Sequence, residues 1–460
     1  MHKIHINNKI FMAKDGCVLS EVLMNNGERI EHPCGGRGVC QKCVVKVNGK
    51  EELSCKYIIK SDITVELPQE SFFFSHMEEC AEFTSNENLC LALDLGTTTL
   101  ALALVSLNEK KVIKAITATN PQRLFGADVM SRIEYSTKNG VDKLKEAVVS
   151  QINSMIVEMQ APSVEKILVA GNVTMLHILF GERCNALGVA PYTPVFLNKK
   201  TADAKSLGIE NVKIVECLPS IHTFVGADIV AGLNFVDIPS KGKYNLLVDL
   251  GTNAEIALFD NDTVLCTSAA AGPCFEGANI SCGMSATSGA ICSYTNGNIK
   301  TIDNKPPCGI CGTGLVDIIA ELIRIGKIDK TGYMENDFSL FYGVTLTQAD
   351  VREYQLAKSA VYSGIASLIK EQNITFEDIE NVYISGGFSC KLNIENAIET
   401  GLIPTELRNK YIAADNSSLM GTVKYLCQKN DLNRFIKNAQ YIDLANNEKF
   451  LNLFMENMSF

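Results

Sequence analysis

The sequence predicts an α/β protein of two similar halves that follow a small cysteine-rich domain, and three observations support this prediction. Two of them are hairpins with the same tip. An apolar strand, the tetrapeptide Asp-Leu-Gly-Thr and a second apolar strand occur within 91–103 and again within 246–258. The third is a run of cysteines and glycines between residues 34 and 55. Because one unusual hairpin occurs twice, the sequence indicates an internal duplication.

The two hairpin tips have the composition of phosphate-binding turns. A turn glycine has no Cβ, so the backbone can approach a phosphate closely, and hydroxyl and backbone N–H groups can donate to its oxygens. The candidate residues are Gly96, Thr97, Thr98, Gly251, Thr252 and Asn253. Asp94 and Asp249 precede the turns and can hold Mg²⁺ or its bound water, because Mg²⁺ prefers oxygen ligands. Two ordinary hairpins are the alternative.

Length and composition limit the class of protein. The chain has 460 residues, 46% of them hydrophobic, and a net charge of −10, which indicates two or three globular domains. Without a broad basic surface we expect neither a nucleic-acid nor an anionic-membrane partner. The apolar run 89–107 is interrupted by Asp94, one glycine and three threonines, and no signal peptide is apparent, so we expect a cytoplasmic protein. The 17 cysteines are then thiols or metal ligands.

The N-terminal cysteines predict a metal or iron–sulfur site. The candidate ligands are Cys34, Cys40, Cys43 and Cys55. The spacing Cys-x₅-Cys-x₂-Cys is close to that of plant-type [2Fe–2S] ferredoxins, with one more residue in the first gap. Zinc sites usually pair two Cys-x₂-Cys units, and only one is present. The spacing therefore favours a [2Fe–2S] cluster over zinc or free thiols, with Cys55 the least firmly assigned ligand.

Each half continues after its hairpin with the same order of elements. Helices follow, then a buried strand ending in a polar glycine turn, at 167–172 in the first half and 382–387 in the second. Two lobes built in this way form a natural cleft for a nucleotide.

This order resembles the actin, Hsp70 and sugar-kinase (ASKHA) superfamily over roughly residues 89–427. The Asp94 and Asp249 hairpins resemble its two phosphate motifs, and Ser385-Gly386-Gly387 resembles its adenosine motif. The resemblance implies ATP and Mg²⁺ as ligands, with Gly386 and Gly387 admitting the adenosine. It also implies that Asp228 or Glu255 orients the attacking water, the alternative for each being a structural acid.

The whole chain resembles the reductive activators of corrinoid-dependent methyltransferase systems. The resemblance is carried by the cysteine-rich segment joined to an ASKHA body and by the stretches 120–128, 222–228, 271–284 and 311–315. It implies an α+β β-grasp [2Fe–2S] ferredoxin domain followed by a duplicated two-lobed α/β ASKHA ATPase. The expected domains are a ferredoxin-like domain at 1–70, a linker at 71–88, lobe 1 at 89–240, lobe 2 at 241–430 and a C-terminal extension at 431–460.

The resemblance also implies a function. The cluster would pass one electron to the Co(II) of a corrinoid protein and give Co(I), with ATP turnover driving an uphill transfer in an anaerobic setting. An upstream electron donor is the second expected partner. Ser281 is a candidate oxygen ligand to Co(II), with a buried turn serine as the alternative. Larger members of the family have an extra domain where this chain has the short linker, so a monomer and a homodimer are both left open.

Two other functions fit the same motifs. A small-molecule kinase regulated by a redox domain would need a catalytic base and an acceptor pocket, and would release a phosphorylated product. A nucleotide-dependent redox sensor that binds partners would deliver no electrons. The Cys308-x₂-Cys311 pair does not separate these functions, because two thiols without further ligands are typical of structural cysteines.

Overall fold

The computed structural model describes residues 1–6, 9–26, 28, 30, 36, 38, 43–67, 75–77, 88–387 and 391–460. The chain forms two compact units, Met1–Cys217 and Leu218–Phe460.

The first unit holds the N-terminal cysteines and the Asp94 hairpin. Its strands are β1 (His2–Ile6), β2 (Lys9–Ala13), β3 (Val44–Val47), β4 (Lys50–Leu53), β5 (Ile63–Glu66), β6 (Ser75–Met77), β7 (Leu89–Leu95), β8 (Thr99–Ser106), β9 (Lys111–Thr119), β10 (Val164–Gly171), β11 (Lys200–Asp203) and β12 (Val212–Cys217). Its helices are α1 (Leu19–Asn25), α2 (Val129–Asn139), α3 (Asp142–Glu158), α4 (Val173–Phe180) and α5 (Ala204–Leu207).

The second unit holds the Asp249 hairpin. Its strands are β13 (Tyr244–Leu250), β14 (Ala254–Phe259), β15 (Val264–Ala269), β16 (Ala290–Thr295), β17 (Asn298–Thr301), β18 (Gly309–Ile310), β19 (Phe338–Phe341), β20 (Val344–Leu346), β21 (Ile379–Ser385), β22 (Tyr411–Ala413) and β23 (Ala439–Tyr441). Its helices are α6 (Ala227–Phe235), α7 (Gly312–Arg324), α8 (Gln348–Glu371), α9 (Ile394–Glu399), α10 (Ser417–Gln428), α11 (Asn433–Ile436) and α12 (Glu448–Glu456).

The N-terminal sheet of the first unit has the strand order β2-β1-β5-β3-β4. Its pairs are antiparallel except β1 and β5, which run parallel, and helix α1 connects β2 to β3. Alternate residues such as Ile4, Ile6, Ile63 and Val65 point into one core, as the period of a half-buried strand requires. The sequence suggests Ser20 as the cap of α1, but the N-cap is Val18, and Ser20 lies buried inside the helix.

The large sheets of the two units repeat one topology. The first has the order β11-β12-β10-β7-β8-β9-β6, and the second has β22-β21-β13-β14-β15-β23. In each sheet, the aspartate strand is antiparallel to the second hairpin strand and parallel to the strand ending in the polar glycine turn. The internal duplication predicted from the sequence is therefore present in the strand order.

The segments flanking this repeat take part in the sheets. Strand β6, which lies inside the segment expected to be a linker, pairs with β9. Strand β23, inside the expected C-terminal extension, pairs in parallel with β15. No helix within the described ranges is long and apolar enough to cross a membrane.

Helices α6 and α10 cross at a glycine. A Cβ on Gly421 would lie 1.8 Å from the carbonyl oxygen of Ala231, so a larger residue in α10 forces the helices apart. Asn234 on α6 also donates through Nδ2 to the carbonyl oxygen of Gly421, at 3.0 Å. The contact fixes the position of α6, whose first turn carries Asp228.

We expect Gly421→Ala to lower the free energy of unfolding by about 1–3 kcal/mol, the usual cost of overpacking a tight contact. Urea unfolding of the intact chain measures the change. The control Gln428→Ala, at an exposed position of the same helix, should stay within about 0.5 kcal/mol of wild type. Equal stability of the two variants would show that the helix crossing tolerates a side chain.

Candidate functional site

The first hairpin presents a tight turn at the carboxyl end of β7. Asp94 lies one residue before the end of this strand and is in register with Ala170 of β10. A Cβ on Gly96 would lie 2.5 Å from the carbonyl oxygen of Thr99, and a Cβ on Gly171 would lie 2.7 Å from that of Leu95. Both positions therefore exclude side chains, and the backbone of the turn stays close to the neighbouring strand.

Donors from outside the hairpin hold the carbonyl groups of this turn. Asn120 donates through Nδ2 to the carbonyl oxygen of Gly96 and through its backbone N–H to that of Thr98, both at 2.8 Å. The guanidinium of Arg132 donates to the carbonyl oxygen of Thr97 at 2.7 Å. These three carbonyl oxygens would repel an anion. Because they accept hydrogen bonds from Asn120 and Arg132, they point toward protein donors.

Arg132 is a functional residue that the sequence analysis missed. Its side chain is fully buried, and it also donates to the carbonyl oxygen of Gly126 at 2.9 Å and to Oε1 of Gln122 at 3.1 Å. The stretch 120–128 thus braces the first turn through side chains that fold back on it. An arginine in the first turns of a helix directly after this stretch was the available signal.

Asn172 sets the hydrogen-bonding role of Thr97. Its Oδ1 accepts from the backbone N–H of Met175 at 3.0 Å and caps α4, so its amide nitrogen faces the hairpin. That Nδ2 donates to Oγ1 of Thr97 at 2.9 Å. A hydroxyl that accepts from an amide keeps its own proton for another acceptor, as donation to a phosphate oxygen requires.

The second hairpin places Asp249 in a chain of hydroxyl groups. Oγ of Ser385, on the parallel strand β21, donates to Oδ2 of Asp249 at 2.9 Å. Oγ of Ser417 lies 2.8 Å from Oγ of Ser385, and both serines are 1% exposed. Since Ser385 gives its proton to the carboxylate, Ser417 is the donor in the second bond.

Gly386 brings its strand against the second hairpin. It has φ +107°, and a Cβ there would lie 2.3 Å from the carbonyl oxygen of Leu250. Gly171 makes the same approach to Leu95 in the first unit, so the two glycines are equivalent in the duplication. A Cβ on Gly387 would meet no described atom within 4 Å.

Three predicted acids come together in the second unit. Glu255 is directly opposite Asp249 across the hairpin, and Ser268 donates to its Oε1 at 3.2 Å. Burial, followed by the nearby charges of Asp228 and Asp249, raises the pKa of Glu255 well above its ordinary value. Glu255 is partly accessible, and it lies beside two other acids.

Glu276 adds an acid that the sequence analysis did not assign. It ends a 3-10 helix, Pro273–Glu276, and Oγ1 of Thr252 donates to its Oε1 at 3.0 Å. The local sequence gave no reason to pair it with a turn more than twenty residues away.

The oxygen donors of the second hairpin suit Mg²⁺. The carboxylates of Asp228, Asp249 and Glu276 and the Thr252 hydroxyl are hard oxygen ligands, and Mg²⁺ is usually bound through one or two carboxylates with its remaining positions filled by water and phosphate. Within the described residues, no three histidine, cysteine or acidic side chains form a preassembled metal site.

Two of the four predicted cluster ligands converge in the N-terminal sheet domain. Sγ of Cys43 lies 3.2 Å from Sγ of Cys55, and the residues are 1% and 8% exposed. Gly36 and Gly38 have positive φ values, and a Cβ on Gly36 would lie 4.0 Å from Cβ of Cys55. Two thiolates bound to one tetrahedral metal at about 2.3 Å are about 3.8 Å apart, so the two sulfur atoms would need to separate by about 0.6 Å to share a metal atom. Cys34 and Cys40 lie outside the described residues.

The remaining predicted residues have other surroundings. Ser281 is exposed, which disfavours the buried-serine alternative, and it donates through its backbone N–H (2.7 Å) and through Oγ (3.0 Å) to Oδ1 of Asp350, the residue that completes the capping box of α8. Cys308 is exposed and lies 3.7 Å from Sδ of Met284. Cys311 is buried and donates to the carbonyl oxygen of Ile291 at 3.2 Å.

Comparisons with known proteins agree with this architecture. A family profile described as the RACo middle region matches residues 89–241, and one described as the C-terminal domain of RACo, the ASKHA domain, matches residues 243–460. The corrinoid activation enzyme RamQ of Eubacterium limosum is 31% identical over 417 residues, covering 80% of this chain and 70% of that protein.

Two further relatives carry related names. A Co(II) methylated amine-specific corrinoid protein reductase of Methanosarcina barkeri is 28% identical over 424 residues, covering 80% of this chain and 76% of that protein. A solved structure of a reductive activator for a corrinoid, iron–sulfur protein superposes with a TM-score of 0.74 and 26% identity, covering 100% of this chain and 98% of the other.

The raised pKa of Glu255 predicts a pH-dependent stability in metal-free solution. The carboxyl of Glu255 holds its proton more tightly in the folded state than in the unfolded chain, so protonation of Glu255 contributes fully to the free energy of unfolding below about pH 4.3. This stabilisation is lost as the pH rises toward the folded-state pKa, by up to about 1.4 kcal/mol per pH unit. Glu255→Gln should flatten this fall and be more stable than wild type above neutral pH.

Urea unfolding in EDTA across the pH range tests this expectation. Glu371→Gln, at an exposed position on α8, is the control and should follow the wild-type curve. If the free energy of unfolding changes with pH in the same way for wild type and Glu255→Gln, Glu255 has the same pKa in the folded and unfolded chain, and the expectation is wrong.

Gly386 and Gly387 form a matched pair for substitution. Gly386→Ala should destabilise the second unit by about 1–3 kcal/mol, because it combines a positive φ with overlap of the Leu250 carbonyl. Gly387 has no positive φ and no described atom close to an added Cβ, so Gly387→Ala should shift the free energy of unfolding by about 0.5 kcal/mol or less. Equal effects in urea unfolding would refute the close approach of β21 to β13.

Proposed function

The chain belongs to the family of reductive activators of corrinoid proteins, and we propose that it reduces the Co(II) form of a corrinoid protein to Co(I) in a reaction coupled to ATP hydrolysis. The observation that carries the proposal is the match of residues 89–460 to the two RACo regions, joined to an N-terminal domain with converging buried cysteines. The names of the relatives from Eubacterium limosum and Methanosarcina barkeri support a corrinoid protein as partner.

The N-terminal domain is the proposed electron carrier. Its strand order with one helix between β2 and β3 is the arrangement of a β-grasp sheet, and Cys34, Cys40, Cys43 and Cys55 are its proposed ligands. A [2Fe–2S] cluster, when bound, supplies one-electron transfer at low potential. Burial of Cys43 and Cys55 in the domain core keeps their sulfur atoms away from water, and Gly36 lies beside Cys55.

The two hairpins are the proposed nucleotide site. We assign phosphate binding to Gly96, Thr97, Thr98, Gly251, Thr252 and Asn253, and adenosine contact to Gly386 and Gly387. Asp94 and Asp249 would hold Mg²⁺, and Asp228 or Glu255 would orient the water that attacks the terminal phosphate.

Nucleotide turnover explains why an electron carrier is joined to an ATPase. A one-electron transfer that is uphill by about 100 mV costs about 2.3 kcal/mol, since 59 mV corresponds to a tenfold change in equilibrium constant. Ser281, which is exposed and bonded to Asp350, would offer its oxygen to Co(II) and change the coordination of the cobalt.

The wider assignments follow from the same proposal. We propose the same five segments as above: a ferredoxin-like domain (1–70), a linker (71–88), lobe 1 (89–240), lobe 2 (241–430) and a C-terminal extension (431–460). An upstream donor would refill the cluster, the thiol-rich chain would work in the cytoplasm, and it would act as a monomer or homodimer.

An anaerobic single-turnover experiment tests the function. The chain is reconstituted with iron and sulfide, reduced with dithionite and desalted, so that its cluster is the electron source. It is mixed with a methylated amine-specific corrinoid protein in the Co(II) state. We expect Co(I) absorbance to appear with MgATP and to stay near zero without it.

Cys43→Ser should abolish this electron transfer, because it removes one of the two converging thiols. Cys17→Ser, in the same domain, is the control and should react like wild type. Transfer at equal rate without ATP, or phosphorylation of a small molecule in place of cobalt reduction, would overturn the proposal.

A further inference from the structure

The two hairpins of the duplication use their first threonine in opposite ways. Oγ1 of Thr97 accepts a hydrogen bond from Nδ2 of Asn172 at 2.9 Å. Oγ1 of Thr252, the equivalent residue of the second hairpin, donates to Oε1 of Glu276 at 3.0 Å. The sequence predicts the same phosphate-donor role for both threonines, whereas their partners differ in kind.

The difference decides what each hydroxyl can bind next. A threonine hydroxyl has one proton to donate and two lone pairs to accept with, while an ionised carboxylate and a phosphate oxygen can only accept. With its proton given to Glu276, Thr252 has lone pairs left for a donor or a cation. With an amide donating to it, Thr97 has its proton left for an acceptor such as phosphate.

Glu276 is held firmly in this position. The residues before it, Cys274 and Phe275, are 1% and 2% exposed, and the residue after it, Gly277, has φ +81° with a Cβ position 2.4 Å from the carbonyl oxygen of Met284. Because both flanks are packed, the carboxylate cannot swing away with its backbone when a ligand arrives.

The charge of Glu276 also acts on the turn itself. A Cβ on Gly251 would lie 3.8 Å from Oε1 of Glu276, so the carboxylate lies beside the glycine as well as beside Thr252. A phosphate oxygen on this side of the turn would be repelled by the Glu276 carboxylate within a few ångströms. A hydrated divalent cation at the same place would be attracted to that carboxylate.

We propose that Thr252 and Glu276 form the cation-facing side of the nucleotide site. In this proposal the Thr252 oxygen accepts a hydrogen bond from a water of the Mg²⁺ that accompanies ATP, and Glu276 both orients the hydroxyl and neutralises the cation. The phosphate-donor role belongs to Thr97. The inference rests on the proposed nucleotide site and changes the role of one of its predicted residues.

Binding of the non-hydrolysable analogue AMPPNP, measured by calorimetry in EDTA and in excess Mg²⁺, tests the inference. We expect Mg²⁺ to tighten binding by wild type, and Thr252→Val and Glu276→Gln each to lose about tenfold of that tightening, the usual effect of removing a hydrogen bond in a charged network. In EDTA, Thr252→Val should bind within about twofold of wild type, and Glu276→Gln as tightly or more tightly, because a like charge has been removed.

Thr97→Val should weaken nucleotide binding whether or not Mg²⁺ is present, unlike Thr252→Val. It should weaken AMPPNP binding by about tenfold in EDTA and in Mg²⁺ alike, since it removes a donor to phosphate. A loss of metal-free affinity in Thr252→Val equal to that in Thr97→Val would overturn the inference.

The chain contains a matched control pair. In the turn at the other end of β14, Oγ1 of Thr263 donates to Oδ1 of Asp260 at 3.0 Å, the same threonine–acid contact away from the proposed site. Thr263→Val and Asp260→Asn should leave both affinities unchanged. Thr252→Ser, which keeps the hydroxyl, should restore the response to Mg²⁺ and exclude misfolding as the cause.

The same measurement separates failure of the inference from failure of the function. If wild type binds AMPPNP under neither condition, the nucleotide site itself is wrong. If wild type binds and responds to Mg²⁺ while Glu276→Gln keeps the full response, the site stands and the role of Glu276 is wrong.

Discussion

The architecture of each half depends on one close contact between backbones. The strand that carries the aspartate lies beside a parallel strand that ends in glycine, and the carbonyl oxygens of Leu95 and Leu250 occupy the space where a glycine Cβ would be. Gly171 and Gly386 are thus required for steric reasons, before any ligand is considered. In the first half the contact fixes the position of the following residue, Asn172, whose side-chain amide reaches the turn.

On this common frame the two halves have diverged in their polar groups. The first half encloses its turn with neutral or cationic donors, Asn120, Arg132 and Asn172. The second half surrounds its turn with acids, and supports Asp249 by two buried serines. The two copies of the fold therefore place their turns in surroundings of unequal charge.

The sequence was informative where function resides in consecutive residues. The hairpin strands, their tips and Gly386 follow from continuous apolar runs and from turn composition, and Cys43 and Cys55, two of the predicted ligands, lie side by side in the structure. Residues that act at a distance were missed. Arg132 and Glu276 reach their turns from helices whose path depends on tertiary packing, and local propensity does not report it. The Ser20 cap was wrong because α1 begins at Leu19, with Val18 as its N-cap, so Ser20 is already inside the helix.

The position of β23 has a consequence for biosynthesis. Strand β15 is made early in the second half, yet its outer neighbour comes from residues 439–441, with Cys266 and Thr267 also bonded to Ile442. While the ribosome is translating the intervening segment, this edge of the nascent sheet has unpaired backbone groups, which are a known template for aggregation. Slow translation of the residues after β15 would therefore lengthen the time for which this edge is uncovered.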